Sequence, residues 1–420
     1  MTSLKLIRSV MASLLLCALF LFSIPNIHAA LFNINMTVEG VNKQFGYAKF
    51  EDVVNAIKSS SITNNFPNYT GAGSVTVALD FRGLPMDLSF GSGGTNDLVL
   101  SIPSINLSQT FSGTSRDDSK EQFKNWLKRD GQATLNAVMK KLAEVSPFDP
   151  VAGNPTSLMS TMVANDFGRG FVSTESSAAT KDTTTSEQTT TSGEISNLIG
   201  AGIRIGQYQQ AGLKGRSYTL PLSYAVRFKS DPRKQLIFDL PLTYFKLEES
   251  KSYNIGLGAS FRLPVAPTWT ITPSLATGVV GSVDMASAGQ VASAAVTSSY
   301  TWTLPLGSLT MGNMLGYYKT LKFKVQGYES NPHIANTVLR NGVMYSLPHK
   351  LFKWDSESEL FLIDTRYFGS ELYMEQYNEI GFSLGSVKSR ADLAHYLRAG
   401  VTYLFSSKTK GISVNFGYSF

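Results

Sequence analysis

The stretch RSYTLPLSYAVRF, residues 216–228, decides the fold, because it alternates with period two from end to end. Tyr218, Leu220, Leu222, Tyr224, Val226 and Phe228 fall on one face of a strand, with Thr219, Pro221, Ser223, Ala225 and Arg227 on the other; successive strand side chains point to opposite sides. The split recurs with Tyr253, Ile255, Leu257, Ala259 and Phe261 against Asn254, Gly256, Gly258, Ser260 and Arg262. It recurs again with Ile412, Val414, Phe416, Tyr418 and Phe420 against Ser413, Asn415, Gly417 and Ser419. A soluble sandwich also alternates, but its outward face carries most of the charge. Here the non-apolar face is Gly, Ser, Thr and Asn, which suits a concave wall around a polar lumen while the apolar face meets lipid. In hydrocarbon every unpaired backbone group costs several kcal/mol, so a sheet enters a membrane only when closed on itself. The expected fold class is an all-β membrane barrel preceded by a small α+β domain.

Working outward, such runs begin near Leu198, Arg216, Lys234, Ser252, Pro267, Ala292, Gly307, Ile334, Ser358, Glu375, Asp392 and Gly411. That gives about twelve antiparallel strands over residues 198–420, an even number, as bacterial barrels require. The sixth to eighth runs are rich in Ala and Ser, so alternation specifies their register weakly. If the first strand starts on the periplasmic side, the returns near Asp231 and Pro232, Pro264 to Pro267, Pro305 to Gly307, Pro348 to Asp355 and Ser386 to Arg390 are periplasmic. Long connections, notably Gly281 to Gln290 and Lys319 to Pro332, then face outward, the asymmetry expected of such barrels.

Ahead of the barrel the chain has three parts. Lys5 and Arg8, an apolar stretch from Val10 to Ile24, Pro25 and the pair Ala29 and Ala30 form the layout of a secretory signal, residues 1–30. Residues 172–197, containing TESSAATKDTTTSEQTTTSG, are a Ser/Thr-rich linker. Between them, residues 31–171 form the small α+β domain: SVTVALDF and DLVLSI are strand-like, and FEDVVNAIKS has helical spacing. Ser115 followed by Asp118 marks a helix start, with Phe123, Trp126 and Leu127 as its buried stripe. Leu135, Val138, Met139, Leu142 and Val145 continue at helical spacing. Asn154 before Pro155 reads as the cap of a further helix whose stripe, Leu158, Met159, Met162 and Val163, is expected as ordinary core of this domain.

A secretory signal, a Ser/Thr linker and a terminal barrel opening with LIGAGIRIG and closing with GISVNFGYSF look like the translocator domain of autotransporters. More narrowly, the chain resembles the solitary outer membrane autotransporter-like β-barrel family, which lacks a large passenger; the segment DPVAGNPTSLMSTMVANDF shares in the likeness. The resemblance implies a Gram-negative outer-membrane location, with outer-membrane lipid around the wall. It also implies recognition by the barrel-assembly machinery through Phe416, Tyr418 and Phe420. Autotransporters place a helix in the pore before the first strand, but the residues here are Thr-rich and poor helix formers, so none is expected from the linker.

Chemistry-bearing residues are few. The sole cysteine, Cys17, lies in the signal behind Leu15 and Leu16, which do not form a lipidation site. The mature chain then has no thiol for disulfide, thiolate-metal or nucleophile chemistry. No histidine falls between residues 31 and 171, so that domain holds no Ser-His-Asp hydrolase and no histidine zinc site. Neither a metal nor a cofactor is expected. His333, near Glu329 and Ser330, is the one candidate for a barrel-wall hydrolase, while His349 and His395 map to the periplasmic rim. GSGGTN from Gly91 lacks the Lys-Ser/Thr ending of a phosphate loop and reads as a hairpin turn. The net charge of +6 is scattered along an exported chain, so nucleic acid is not a partner.

The notable set is a group of charges on the small-residue face: Arg204, Arg227, Arg262, Arg340 and Arg398, with Asp239 and Glu379 as partners. They either pair across the wall or form an arginine-lined lumen that favours anions or an acidic linker segment. The leading function is a membrane barrel, its lumen partly occupied, that anchors or displays the N-terminal domain. A transport pore with a periplasmic accessory domain is the alternative, and a barrel-wall hydrolase the third.

Overall fold

The computed structural model describes residues 30–91, 93–171, 197–325, 328–351, 354–386 and 396–419. The expected signal peptide up to residue 29, most of the linker, His395 and Phe420 lie outside them.

Alternation builds the N-terminal unit first. β1 (Phe32–Val38), β2 (Val41–Tyr47), β3 (Val75–Phe81), β4 (Leu84–Phe90), β5 (Asp97–Ile102) and β6 (Leu107–Ser112) form an antiparallel sheet in the order β2-β1-β3-β4-β5-β6. One face buries Phe32, Ile34, Met36, Val77, Leu79 and Leu100. Over this unit lie α1 (Phe50–Ala56), α2 (Ser59–Asn65), α3 (Arg116–Lys128) and α4 (Gln132–Val145). Ser115 caps α3 by accepting from the Asp118 N–H at 3.1 Å, which satisfies one of the free donors of the first turn. GSGGTN falls between β4 and β5.

The remaining helix, α5 (Leu158–Gly170), is capped by Ser157, whose hydroxyl accepts from Ser160 N. The expected cap, Asn154, instead forms a turn, donating to the Asp149 carbonyl and accepting from Thr156 N. With its side chain committed there, the helix starts three residues later.

The barrel begins with β7 (Leu198–Gln210), β8 (Leu213–Phe228), β9 (Asp231–Leu247), β10 (Ser250–Ala266), β11 (Trp269–Ser282) and β12 (Ser287–Leu304). After β13 (Gly307–Leu321), the short hairpin β14 (Phe323–Val325) and β15 (Tyr328–Ser330) stands apart from the wall. β16 (Ala335–Leu351), β17 (Trp354–Gly369), β18 (Gln376–Ser386), β19 (Tyr396–Phe405) and β20 (Thr409–Ser419) complete it. The sheet closes where β20 pairs with β7, from Thr409 opposite Gln210 to Ser419 opposite Gly200. All twelve strands are antiparallel, and the Ala/Ser-rich β12 and β13 pair without a register break. The shortest, β19, has 10 residues, within the roughly 9–11 that a tilted strand needs to span the hydrocarbon.

Because the strand number is even, β7 starts and β20 ends at one end of the barrel, here the termini end. The expected long connection from Gly281 to Gln290 is not there: strand pairing runs on to Ser282 opposite Ser287, leaving residues 283–286 as the turn. Ala211 and Gly212 have φ of 48° and 79°, the left-handed pair that a two-residue hairpin requires. Pro232 and Pro348 lie in strands rather than turns.

Candidate functional site

The site is the lumen, and its central piece is α5. Thirteen residues long, it extends about 20 Å at 1.5 Å per residue. Leu158, Met159, Met162, Val163 and Phe167 are buried, and so are Ser160, Asp166, Arg169 and Gly170. One stripe stays open, with Thr161, Ala164 and Asn165 half-buried and Gly168 exposed; the rest of the helix surface needs walls around it, and the barrel supplies them. The stripe expected as core of the small domain therefore packs inside the barrel instead.

Glycines on the inner wall make room for it. A Cβ added at Gly278 would stand 2.8 Å from Leu158 Cδ1, and one at Gly312 would stand 2.3 Å from the Phe171 ring. Gly342 lies against Phe167 and Phe171, and Gly170 of the helix against Thr297 and Thr272. The small-residue face, read from sequence as lining for a polar lumen, is to this extent a berth for a helix.

Charge fixes the helix in place. Asp166 accepts from Tyr318 Oη at 2.7 Å and Ser293 Oγ at 2.9 Å, and pairs with Arg169 at 2.8 Å. Arg169 also reaches Asp239 on β9, Nε to Oδ1 2.6 Å. Arg262 donates to the Arg169 carbonyl and, at 3.0 Å, to Gln235. A guanidinium on the last carbonyls of a helix satisfies a free acceptor and complements the negative end of its dipole. Higher on the helix, Tyr367 Oη donates to Ser160 Oγ at 3.0 Å.

Residues 146–154 are all buried and close the mouth above α5. Phe148 packs on Phe245 with ring centroids 5.8 Å apart, and Val151 lies against Gly289. Tyr373 N donates to the Ala143 carbonyl and Met374 N to that of Gly153. Beneath the N-terminal sheet, Arg82 and Asp149 form a fully buried pair at 3.2 Å, and Asp149 also accepts from the Val151 and Ala152 N–H groups. Burial pushes the Arg82 guanidinium down and the Asp149 carboxyl up from their ordinary values, each being the main charge that opposes the other's shift. Further contacts seat the unit on this rim: Phe50 N donates to Asp284 O, Ser250 Oγ to Ala48 O, and Asn331 N to Asn136 Oδ1. All of these barrel partners lie at the end opposite the termini.

Of the charges singled out in the sequence, Asp239 and Arg262 converge on α5. Arg340 pairs with Glu379 at 2.5 Å and lies over the Phe167 ring, 5.1 Å from its centroid. Arg398 pairs with Glu357 at 2.8 Å and with Glu359, and donates to Ser383. Arg204 and Arg227 are half-buried, in register with Asn415 and Gln235. Phe416 is exposed on the outer wall, and Tyr418 lies on β20 opposite Leu397. Sequence reasoning missed Asp166 and Arg169. Their signal was present in NDFGRG, where two opposite charges at i, i+3 sit inside an apolar helix.

His333 is exposed ahead of β16, and its N–H donates to Asn331. Its expected partner Glu329 is engaged elsewhere: hydrogen bonds from Lys322 and Lys324 hold that carboxyl below the usual range. His349 contacts the Leu347 carbonyl near the termini end. Among the described residues no cluster of His, Cys, Asp and Glu could hold a metal ion.

The outer wall decides the setting. Leu275 is 67% exposed and Leu257 58%, with Ile255, Leu315, Leu362 and Val414 also bare, whereas the inward Ser, Thr and Asn are buried. A closed, even-stranded antiparallel sheet with an apolar exterior is the bacterial outer-membrane solution to backbone satisfaction. The chain is an integral outer-membrane β-barrel.

No protein-family model matches the chain, and no curated protein matches it either. Among solved structures, the barrel is similar to the β domain of the Bordetella autotransporter BrkA, at 13% identity over 53% of this chain and 98% of that one, TM-score 0.42. It is also similar to the translocator domain of the autotransporter NalP from Neisseria meningitidis, at 14% identity over 53% and 87%, TM-score 0.39. The KdgM porin aligns at 14% identity over 52% and 99%, TM-score 0.31.

Proposed function

We propose that this barrel is an anchor that displays its N-terminal unit at the cell surface and keeps its own lumen closed. One observation carries the reading: the unit docks on the end opposite the barrel termini, while α5 runs from that mouth down the lumen toward the termini end. Among the described connections, those at the termini end, residues 229–230, 267–268 and 305–306, are two-residue turns. At the docking end the connection 370–375 has six residues, and the hairpin β14–β15 stands between β13 and β16. Outer-membrane barrels keep short turns in the periplasm and long loops outside, which supports an outside position for the unit. Phe416 and Tyr418 of β20 then lie toward the periplasmic end, where the assembly machinery would engage the C-terminal segment.

The transport-pore reading is also compatible with the barrel; α5 and residues 146–154 narrow the lumen and favour display. The test of display is protease treatment of intact cells carrying an epitope after Ala30. Loss of the epitope is expected, and full protection would place the unit in the periplasm.

A further inference from the structure

Arg216, Lys246 and Lys251 stand side by side on the outer wall, at the rim that carries the N-terminal unit. Register puts Arg216 opposite Lys246 and Lys246 opposite Lys251, across β8, β9 and β10. All three are exposed, while their chain neighbours Gly215, Ser217, Phe245, Leu247, Ser250 and Ser252 are buried. The row therefore points away from the lumen. Like charges directly opposed across strands destabilise a sheet. Among the described residues no carboxylate pairs with any of the three. Glu248 and Glu249 in the turn above form no ion pair with the row, and Asp284 accepts from the Lys251 backbone rather than its ammonium.

Two residues deeper, the register aligns Tyr218, Tyr244 and Tyr253, whose rings are 5.9 and 5.4 Å apart. The next row is Leu220, Leu242 and Ile255. These two rows, with Ile203, line an external groove of about 390 Å³ that is almost wholly apolar. Rows two residues apart are about 7 Å apart along a strand. Within one continuous patch the wall thus runs from cationic, through the aromatic interface layer, to hydrocarbon-facing.

That sequence of layers matches one kind of molecule. We propose that the patch binds a phosphorylated, acylated lipid of the outer leaflet, its phosphate across Arg216, Lys246 and Lys251 and an acyl chain in the groove below the tyrosines. Phosphate supplies the negative charge that the row lacks and accepts from several donors at once. The leaflet rests on the orientation proposed above, and the binding chemistry does not.

The test uses the full-length protein in detergent, where orientation plays no part. Binding of diphosphorylated lipid A is compared with that of its dephosphorylated form, and inorganic phosphate serves as competitor. The triple variant R216A/K246A/K251A is expected to lose about a hundredfold in affinity for the phosphorylated lipid, at about fivefold per cation. K319A, elsewhere on the same rim, should lose none. Retained heat-modifiable migration on gels shows that the variant barrel is folded. L242A/I255A should weaken lipid binding while leaving any response to inorganic phosphate unchanged. Equal binding of the dephosphorylated lipid, or full displacement by inorganic phosphate at matched concentration, would overturn the proposal. Should protease treatment of cells reverse the orientation while phosphate-dependent binding persists in detergent, the outer-leaflet assignment falls and the display reading with it.

Discussion

Asp166 of the lumenal helix accepts a 2.7 Å hydrogen bond from Tyr318 Oη of β13, while Arg169 one turn later pairs with Asp239 of β9. Two parts of the wall therefore hold one helix through groups that are buried and charged. Removing one member of such a network leaves an uncompensated charge, typically at a cost of about 3–5 kcal/mol. Neutralising the network as a whole leaves no uncompensated charge and avoids that cost.

Arg169→Met should accordingly loosen α5 more than the triple change D166N/R169M/D239N. In planar bilayers the single variant is expected to show higher and noisier conductance than the parent, with the triple variant between them. Equal, closed traces for all three would show that the network does not retain the helix.

The wall glycines make a steric prediction. Leucine at Gly278 or Gly312 meets Leu158 or the Phe171 ring at once, and overpacking typically costs about 1–3 kcal/mol. A Cβ at Gly278 stands nearer to Leu158, at 2.8 Å, than to the wall's Ile255 carbonyl oxygen, at 3.3 Å, so G278L and G312L should keep heat-modifiable migration while residues 158–170 become sensitive to protease. A barrel that fails to assemble would mean that the helix is part of its folding core.

The seat of the N-terminal unit depends on Arg82 and Asp149. Asp149→Asn leaves a fully buried guanidinium without its counter-ion, and a loss of about 3–5 kcal/mol is expected. Replacing both partners by Met and Leu should recover most of it. Urea denaturation followed by proteolysis within residues 31–145 reads this directly; similar losses in the single and double variants would argue against charge as the cause.

Gly153 adopts φ +94°, and a Cβ there would lie 2.0 Å from the Ala143 carbonyl oxygen. Its own carbonyl accepts from Met374 N. Gly153→Ala is expected to raise conductance, because the segment closing the mouth must shift to relieve both clash and backbone strain. A variant as closed as the parent would locate the seal deeper, along α5.

The sequence by itself determined the wall. Period-two alternation in Tyr218–Phe228 and its repeats sets which side faces lipid, and a slip of one residue would turn every apolar side chain inward. Strand number and closure follow, and local chemistry was enough to place the Ser115 cap of α3. What occupies the lumen was decided only in three dimensions. Leu158, Met159, Met162 and Val163 carry the same apolar spacing whether they face a sheet or the inside of a barrel. Likewise Gly278 and Gly312 look the same whether they border water or a helix. Pairing Asp166 with Tyr318, or Arg82 with Asp149, brings together residues 152 and 67 positions apart, and periodicity carries no information across such separations.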